Sequence, residues 1–161
     1  AANIVSAAVE AFHASEVSTG VDVSVDLESG LPELSADEIQ IIQVFVNILS
    51  NAAHAMRSIG TDKAVHINVT RARSNIRFQI SDNGPGIPQA IAAQIFDPLF
   101  TTKDVGEGTG LGLAICHRIV VAHGGVLELE DSSPTGATFV VELPYVAPRN
   151  PTSVAAPPSS R

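Results

Sequence analysis

Two asparagines, Asn47 and Asn51, stand four residues apart within an apolar segment that has the pattern of a long helix. At about 100° per residue they share one side of that helix, with the other polar residues of the segment, Gln40, Gln43, His54 and Ser58. Asparagine is a poor helix former, and a solvated stripe usually carries Lys and Glu. Amide oxygens can bind Mg²⁺, and amide N–H groups can donate to phosphate oxygens. Hydrogen bonding of the stripe to a neighbouring loop is the alternative, and the helix alone leaves both open.

A single carboxylate, Asp82, ends an alternating strand and is followed by Asn-Gly-Pro-Gly-Ile-Pro. An ionised Asp only accepts hydrogen bonds, and the glycines beside it let a flat ligand approach. The pair therefore suits recognition of an exocyclic amino group such as that of adenine. Asn-Gly is also a strong hairpin signal, so a plain turn is the alternative. Against that turn, no alternating strand follows, and Pro85 and Pro88 would interrupt a central one.

Glycine occupies every second position from Gly106 to Gly112, and a helical pattern follows at once. The backbone amides of such a loop, together with the helix N-terminus, form an anion site suited to phosphates. The run is neither a Walker loop nor the dinucleotide-binding fingerprint. A flexible linker is the alternative. Just upstream, Lys103 is a candidate for neutralising a phosphate, and an ordinary solvated lysine is its alternative.

These residues need a scaffold, and hydrophobic periodicity predicts one. The order of the elements predicts an α+β fold, a two-layer α/β sandwich with a mixed, mostly antiparallel sheet of about five strands on about three helices. Asp37 is the expected N-cap of the long helix and Gly60 its stop signal. The predicted helices are 3–16, 37–59, a short piece at 88–95, and 111–123, and the predicted strands are 21–27, 65–69, 76–80, 126–130 and 138–143.

The composition bounds the class of protein. The chain has 161 residues, 45% of them hydrophobic, and a net charge of −8, which disfavours binding of a nucleic-acid backbone. Its one cysteine excludes an internal disulfide, and no apolar run approaches the roughly 20 residues of a membrane span. After Pro144 the sequence is rich in Pro, Ala and Ser, which predicts a disordered tail. We expect one acidic, soluble, intracellular domain.

Four motifs agree in order and spacing with one family. The Asn47–Asn51 stretch resembles an N box, Asp82–Gly86 a G1 box, Phe96–Lys103 an F box and Gly106–Gly112 a G2 box. The chain thus resembles the catalytic and ATP-binding domain of bacterial sensor histidine kinases, in the superfamily of gyrase, heat-shock chaperone and mismatch-repair ATPases. The Phe-Thr-Thr-Lys stretch and the closing residues 136–144 are similar to the nitrogen-regulation and dicarboxylate-sensing type. The resemblance covers residues 17–145 and implies the Bergerat-type ATP-binding fold.

The resemblance implies ATP and Mg²⁺ as cofactors and assigns roles to residues of this chain. Asp82 would bind the adenine amino group, Asn51 the Mg²⁺ ion and Asn47 the phosphates, with Asn47 and Lys103 as the catalytic residues. A basic residue after the Asn-Ala pair would be either His54 or Arg57. Residues 96–109 would form a lid. The other implied nucleotide-binding residues are Gly84, Gly86, Ile87, Phe96, Thr101, Thr102, Gly106, Gly108, Thr109, Gly110, Leu111, Gly112 and Thr138.

The same resemblance implies a reaction. The ATPase cousins carry a Glu where Asn47 stands, and an Asn amide cannot take a proton at neutral pH. We therefore expect slow hydrolysis, with the γ-phosphoryl group held for a histidine on a separate dimerisation domain. None of the five histidines here is the expected acceptor, since His13 lacks the family's sequence context. The chain should not autophosphorylate alone.

The implied organisation is a connecting helix at 1–16, the ATP-binding kinase domain at 17–145 and the tail at 146–161. The implied partners are the phosphoacceptor domain and a response regulator receiver domain. We expect neither nucleic-acid binding nor direct membrane contact from this segment, and a cytoplasmic location that leaves membrane anchoring of the parent protein open. Two alternatives are a non-catalytic nucleotide-binding module and an anti-sigma-type serine kinase, and the Phe-Thr-Thr-Lys element favours the histidine kinase.

Overall fold

A computed structural model describes residues 1–60, 62–100 and 110–145. The helices are α1 (Ala2–His13), α2 (Glu38–Ala55), α3 (Gln89–Ala92) and α4 (Gly112–Ala122), with short 3-10 turns at Glu16–Ser18 and Met56–Ser58. The strands are β1 (Val21–Leu27), β2 (Lys63–Ala72), β3 (Asn75–Asp82), β4 (Val126–Ser133) and β5 (Gly136–Pro144). The predicted tail at 146–161 lies outside the described residues.

The five strands form one sheet in the order β1-β2-β3-β5-β4. β1 runs parallel to β2, and the other neighbours are antiparallel. The predicted α+β fold, with a mixed, mostly antiparallel sheet, is confirmed. The strands β3 and β5 are neighbours inside this sheet. Asp82 is the last residue of β3, and the loop that follows it lies beside the end of the long helix.

One face of the sheet packs against the helices. The buried side chains of β3 alternate with half-buried ones, and Phe78 meets Phe45 of α2 with ring centroids 4.9 Å apart. α1 belongs to the same core, because its residue Phe12 is fully buried and it packs against α2. The other buried residues of α1 are Ile4, Val5 and Ala8. The expected connection from this helix to a preceding domain stays a prediction.

The long helix begins as the sequence predicts and ends slightly earlier. The Asp37 carboxylate accepts hydrogen bonds from the backbone N–H groups of Ile39 and Gln40, which caps α2. The α-helix stops at Ala55 and a 3-10 turn continues it to Ser58. Glu38–Ser58 is also, among the described residues, the one segment long and apolar enough for a membrane span by length and composition. Its buried residues pack in the domain core, which explains that composition.

Candidate nucleotide-binding site

The Asp82 carboxylate lies half-buried at the end of β3, where backbone groups hold it in place. Its Oδ1 atom accepts a hydrogen bond from the Gly84 N–H at 2.8 Å. Burial raises the pKa of Asp82 above its ordinary value of 3.8, and backbone hydrogen bonds from Gly84 and Ala137 oppose that rise. A carboxylate held by two backbone donors and partly removed from water is oriented to accept a further hydrogen bond from a ligand.

The loop after Asp82 has no room for side chains at its glycines. A Cβ at Gly84 would lie 2.7 Å from Asp82 Oδ1 and 3.4 Å from Met56 Cγ, at the C-terminal end of the long helix. Gly86 has a φ of +72°, and a Cβ there would collide with the Ser133 carbonyl oxygen. The loop therefore packs closely against the 3-10 turn that follows α2 and against the β4–β5 turn, which only glycine allows at these two positions.

Asn83 fixes the start of this loop to the neighbouring strand. Its N–H donates to the Ala64 carbonyl, while its Oδ1 accepts from the Ala64 N–H at 2.9 Å. Its Nδ2 donates to the Asp62 carbonyl at 2.6 Å. Asn83 thus ties the loop to the start of β2, which the turn-forming Asn-Gly pattern alone did not predict.

The polar stripe of α2 faces the beginning of α4. The Asn47 Nδ2 group donates to the Cys116 Sγ atom at 3.6 Å. The Asn51 Nδ2 atom is 4.0 Å from the position a Cβ of Gly112 would take. Cys116 is fully buried, and burial raises the pKa of its thiol to about 11, so the sulfur stays neutral and accepts the amide hydrogen bond. The two asparagines of α2 therefore face α4, the helix that follows the glycine run.

The two candidate basic residues lie near and beyond the C-terminal end of α2. The His54 Nδ1 atom is 2.6 Å from the Ser50 carbonyl oxygen, so that nitrogen carries the proton and donates it within the helix. The Nε2 atom is then the acceptor of the neutral ring. Arg57 is exposed in the 3-10 turn that follows α2. Which of the two contacts a phosphate stays a prediction.

Phe96 packs between α4 and the sheet rather than projecting into solvent. Its ring centroid is 5.6 Å from that of His117 and 6.5 Å from that of Phe139. Beyond it, the Leu99 N–H donates to the Gly110 carbonyl at 3.0 Å, which ties the first part of the expected lid to the residue that follows the lid. The other predicted residues of this region, Thr101, Thr102, Lys103, Gly106, Gly108 and Thr109, lie outside the described residues.

Thr138 is predicted to bind the nucleotide, and the structure places its side chain away from the Asp82 carboxylate. It pairs with Ser81 across β5 and β3, and the two hydroxyl oxygens are 3.0 Å apart. Because side chains alternate along a strand, this pair lies on the face opposite Phe139 and the core. A role for the Thr138 side chain at the site stays a prediction.

The metal-binding groups available at this site bear on whether a cation binds alone or together with a nucleotide. Among the described residues there is no group of three or more His, Cys, Asp or Glu side chains able to hold a metal ion on its own. Mg²⁺ usually keeps several waters and binds through one or two protein oxygens plus substrate phosphates. The Asn51 amide oxygen is by its chemistry a ligand of this kind, and binding of Mg²⁺ by Asn51 together with phosphate stays a prediction.

Residues 36–147 match the family model of histidine kinase-, DNA gyrase B- and HSP90-like ATPases. The chain belongs to this family. Its curated relatives include the sensor histidine kinase ZraS of Escherichia coli strain K12, 38% identical over 71% of this chain and 23% of that protein. The C4-dicarboxylate transport sensor protein DctS of Rhodobacter capsulatus is 39% identical over 73% of this chain and 18% of that protein. The chain thus spans about a fifth of the length of these relatives.

Solved histidine kinase domains share the fold. The nucleotide-free catalytic domain of histidine kinase ThkA superposes with a TM-score of 0.75 at 29% identity, covering 88% of this chain and 90% of that one. A ThkA structure in complex with the response regulator protein TrrA gives a TM-score of 0.72 at 26% identity, covering 89% of this chain and 40% of that one. The predicted resemblance to a histidine kinase ATP-binding domain is confirmed.

Proposed function

We propose that this chain binds Mg·ATP and supplies the γ-phosphoryl group to a histidine on a separate domain. The observation that supports this best is the meeting of three elements. The loop after Asp82 lies beside Met56, in the 3-10 turn that follows α2, and the asparagines of α2 face the start of α4. A ligand in this cleft meets a carboxylate at one end and amides at the other, as an adenine base and a triphosphate require.

At the adenine end, Asp82 accepts a hydrogen bond from the exocyclic amino group of the base. In this proposal Gly84, Gly86 and Ile87, which follow Asp82 in the loop, border the base, and the Gly84 N–H orients the carboxylate. Phe96, at the start of the expected lid, packs against His117 of α4, and Leu99 hydrogen-bonds to Gly110, the residue after the lid. The base is thereby recognised chiefly by one charged acceptor in a half-buried position.

At the phosphate end, Asn51 supplies an amide oxygen to Mg²⁺ and Asn47 lies beside the phosphates. The backbone N–H groups at Gly110, Leu111 and Gly112, where α4 begins, suit binding of phosphate oxygens. Lys103 and the preceding glycines, Gly106 and Gly108, complete this part of the proposal. Mg²⁺ supplies charge neutralisation on the phosphates when bound.

The chemistry favours transfer to another group over hydrolysis. Asn47 is held by its hydrogen bond to Cys116, and an amide does not accept a proton at neutral pH. Water in the cleft therefore has no carboxylate base at this position. The γ-phosphoryl group survives until a nucleophilic histidine is presented by a second domain.

The partners follow from the same proposal. The chain covers 23% of ZraS, which is named a sensor histidine kinase, so a phosphoacceptor domain is expected in a longer parent protein. ThkA forms a complex with a response regulator protein, and we propose a receiver domain of that class as the final acceptor here. Because ATP is the donor, we place the domain in the cytoplasm.

The test uses radiolabelled ATP with the chain alone and with the phosphoacceptor domain of its parent protein added as a separate polypeptide. We expect label on the acceptor domain, stable in base and lost in acid, and none on the chain itself. The Asp82→Ala variant serves as the control and should give little label. Nucleotide binding without any transfer to the acceptor would instead favour a non-catalytic nucleotide-binding module.

A further inference from the structure

The hydroxyl group of Ser132, near the end of β4, reaches across to the loop that follows Asp82. Its Oγ accepts a hydrogen bond from the Ile87 N–H at 2.5 Å and donates one to the Ile87 carbonyl at 3.1 Å. One side chain thus satisfies both backbone groups of a residue 45 positions away in sequence. The N–H and C=O groups of one residue are usually hydrogen-bonded by the backbone of a neighbouring strand, and here the serine hydroxyl takes the place of that strand.

Ser132 lies in the same row of the sheet as Asp82. Ser132 pairs with Ala137 across β4 and β5, and Ser81 pairs with Thr138 across β3 and β5, so Asp82 comes level with Ala137. The Ala137 N–H is one of the donors to the Asp82 carboxylate. A serine, a small buried alanine and the carboxylate therefore form a continuous line on the face of the sheet that borders the site.

The loop between Asp82 and α3 is fixed at both ends by this row. Asp82 holds its beginning through the Gly84 N–H, and Ser132 holds its end through Ile87. Between these points Gly86 lies directly against the Ser133 carbonyl oxygen. A loop anchored at both ends presents the base-binding carboxylate in one geometry, whereas a loop anchored at one end would sample several.

We propose that Ser132 is a positioning residue for base recognition, acting through Ile87 and the loop that ends there. This inference rests on the proposed function, in which Asp82 binds an exocyclic amino group. The sequence contained no signal for it, because a serine near a hairpin turn is ordinary turn chemistry.

The test measures dissociation constants for ADP and for IDP, whose base lacks the amino group, using the 161-residue chain. In Ser132→Ala we expect ADP binding to weaken about three- to tenfold, since two hydrogen bonds that order the loop are lost. IDP binding should change much less, so the preference for ADP falls. Ser132→Thr, which keeps the hydroxyl, should restore that preference.

Ser133→Ala is the matched control in the same turn. The Ser133 hydroxyl hydrogen-bonds within its own turn, at 3.0 Å from the Thr135 Oγ1 atom and 3.3 Å from the Thr135 backbone nitrogen, and within the described part of the chain it makes no hydrogen bond to the loop after Asp82. We expect Ser133→Ala to bind ADP and IDP as the wild type does. Should Ser132→Ala not fold, Ser132→Cys gives the same comparison with a weaker donor and acceptor.

The outcomes separate the two levels of the hypothesis. A wild type that binds ADP and IDP equally would refute the proposed role of Asp82, and the Ser132 proposal with it. A wild type that prefers ADP, with the same preference kept in Ser132→Ala, would overturn the Ser132 proposal alone. Equal weakening of ADP and IDP in Ser132→Ala would also overturn it, since loss of general stability has that effect.

Discussion

Replacing Asp82 by asparagine should separate nucleotide binding from stability. The Asp82 carboxylate receives backbone hydrogen bonds from Gly84 and Ala137 and, in the proposed complex, a third from the adenine amino group. Asparagine has one acceptor oxygen and an amide that only donates. If its oxygen serves the backbone donors, its N–H₂ group faces the ligand amino group, and two donors oppose each other.

The expected loss can be worked out from the hydrogen bond involved. A hydrogen bond to a charged group contributes about 1.5–3 kcal/mol, which corresponds to about ten- to 150-fold in Kd. Calorimetric titration of ADP into the wild type and Asp82→Asn measures this ratio. Asp22→Asn, at an exposed position of β1, is the matched control and should leave Kd unchanged. Binding within about twofold of the wild type in Asp82→Asn would refute the role assigned to the carboxylate.

The same substitution should not lower the free energy of unfolding at neutral pH. Burial raises the pKa of Asp82, so the folded state favours the protonated form. The stabilisation from this group is therefore fully present below the pKa of the unfolded chain and is lost as pH rises through the higher folded-state pKa. Asparagine carries no charge to desolvate. Urea denaturation of both proteins at pH 7 checks this, and a marked loss of stability in Asp82→Asn would contradict the desolvation argument.

Other perturbations test separate parts of the structure. Asn47→Glu should raise ATP hydrolysis, by up to about 100-fold if the carboxylate acts as a positioned base, and an equal or lower rate of phosphate release would count against that position. Cys116, with a pKa of about 11, should resist alkylation by iodoacetamide at pH 8 in the folded chain and react in denaturant; rapid labelling when folded would contradict its burial. Gly86→Ala should destabilise the fold by more than about 1 kcal/mol beyond Gly30→Ala, because the two glycines share a φ near +70° and a Cβ meets a backbone oxygen only at Gly86; equal urea midpoints for the two variants would remove that argument. Lowering the pH through the raised pKa of Asp82 should weaken ADP binding as the carboxylate is protonated, and affinity independent of pH in that range would argue against an ionised acceptor.

Local patterns predicted most of the elements because each depends on nearby residues. Strict alternation placed β1 at Val21–Leu27, as observed, and Asp37 as the N-cap of α2 is confirmed by its two backbone hydrogen bonds. The strand β2 is longer than predicted, Lys63–Ala72 against 65–69, because its ends pair with β1 and β3 through backbone groups, which the alternation of side chains does not report. The piece predicted at 88–95 is an α-helix only over Gln89–Ala92.

Local sequence patterns could not predict the contacts between segments that are distant along the chain. The parallel pairing of β1 with β2 depends on where α2 crosses the sheet, which hydrophobic periodicity does not report. The hydrogen bond between Asn47 and Cys116 joins residues 69 positions apart, and neither residue type predicts the other as its partner. The pairing of Thr138 with Ser81 depends on the register between β3 and β5, which a sequence motif does not predict.

Calorimetric titration of the 161-residue chain with ATP, in Mg²⁺ and again in EDTA, tests most directly whether this cleft is a nucleotide site. The proposed geometry predicts saturable binding of one ATP per chain that is tighter with Mg²⁺, because the metal joins the phosphates to Asn51. Absence of saturable binding in both buffers would contradict it. Binding that is equally tight in EDTA would contradict the role given to Asn51.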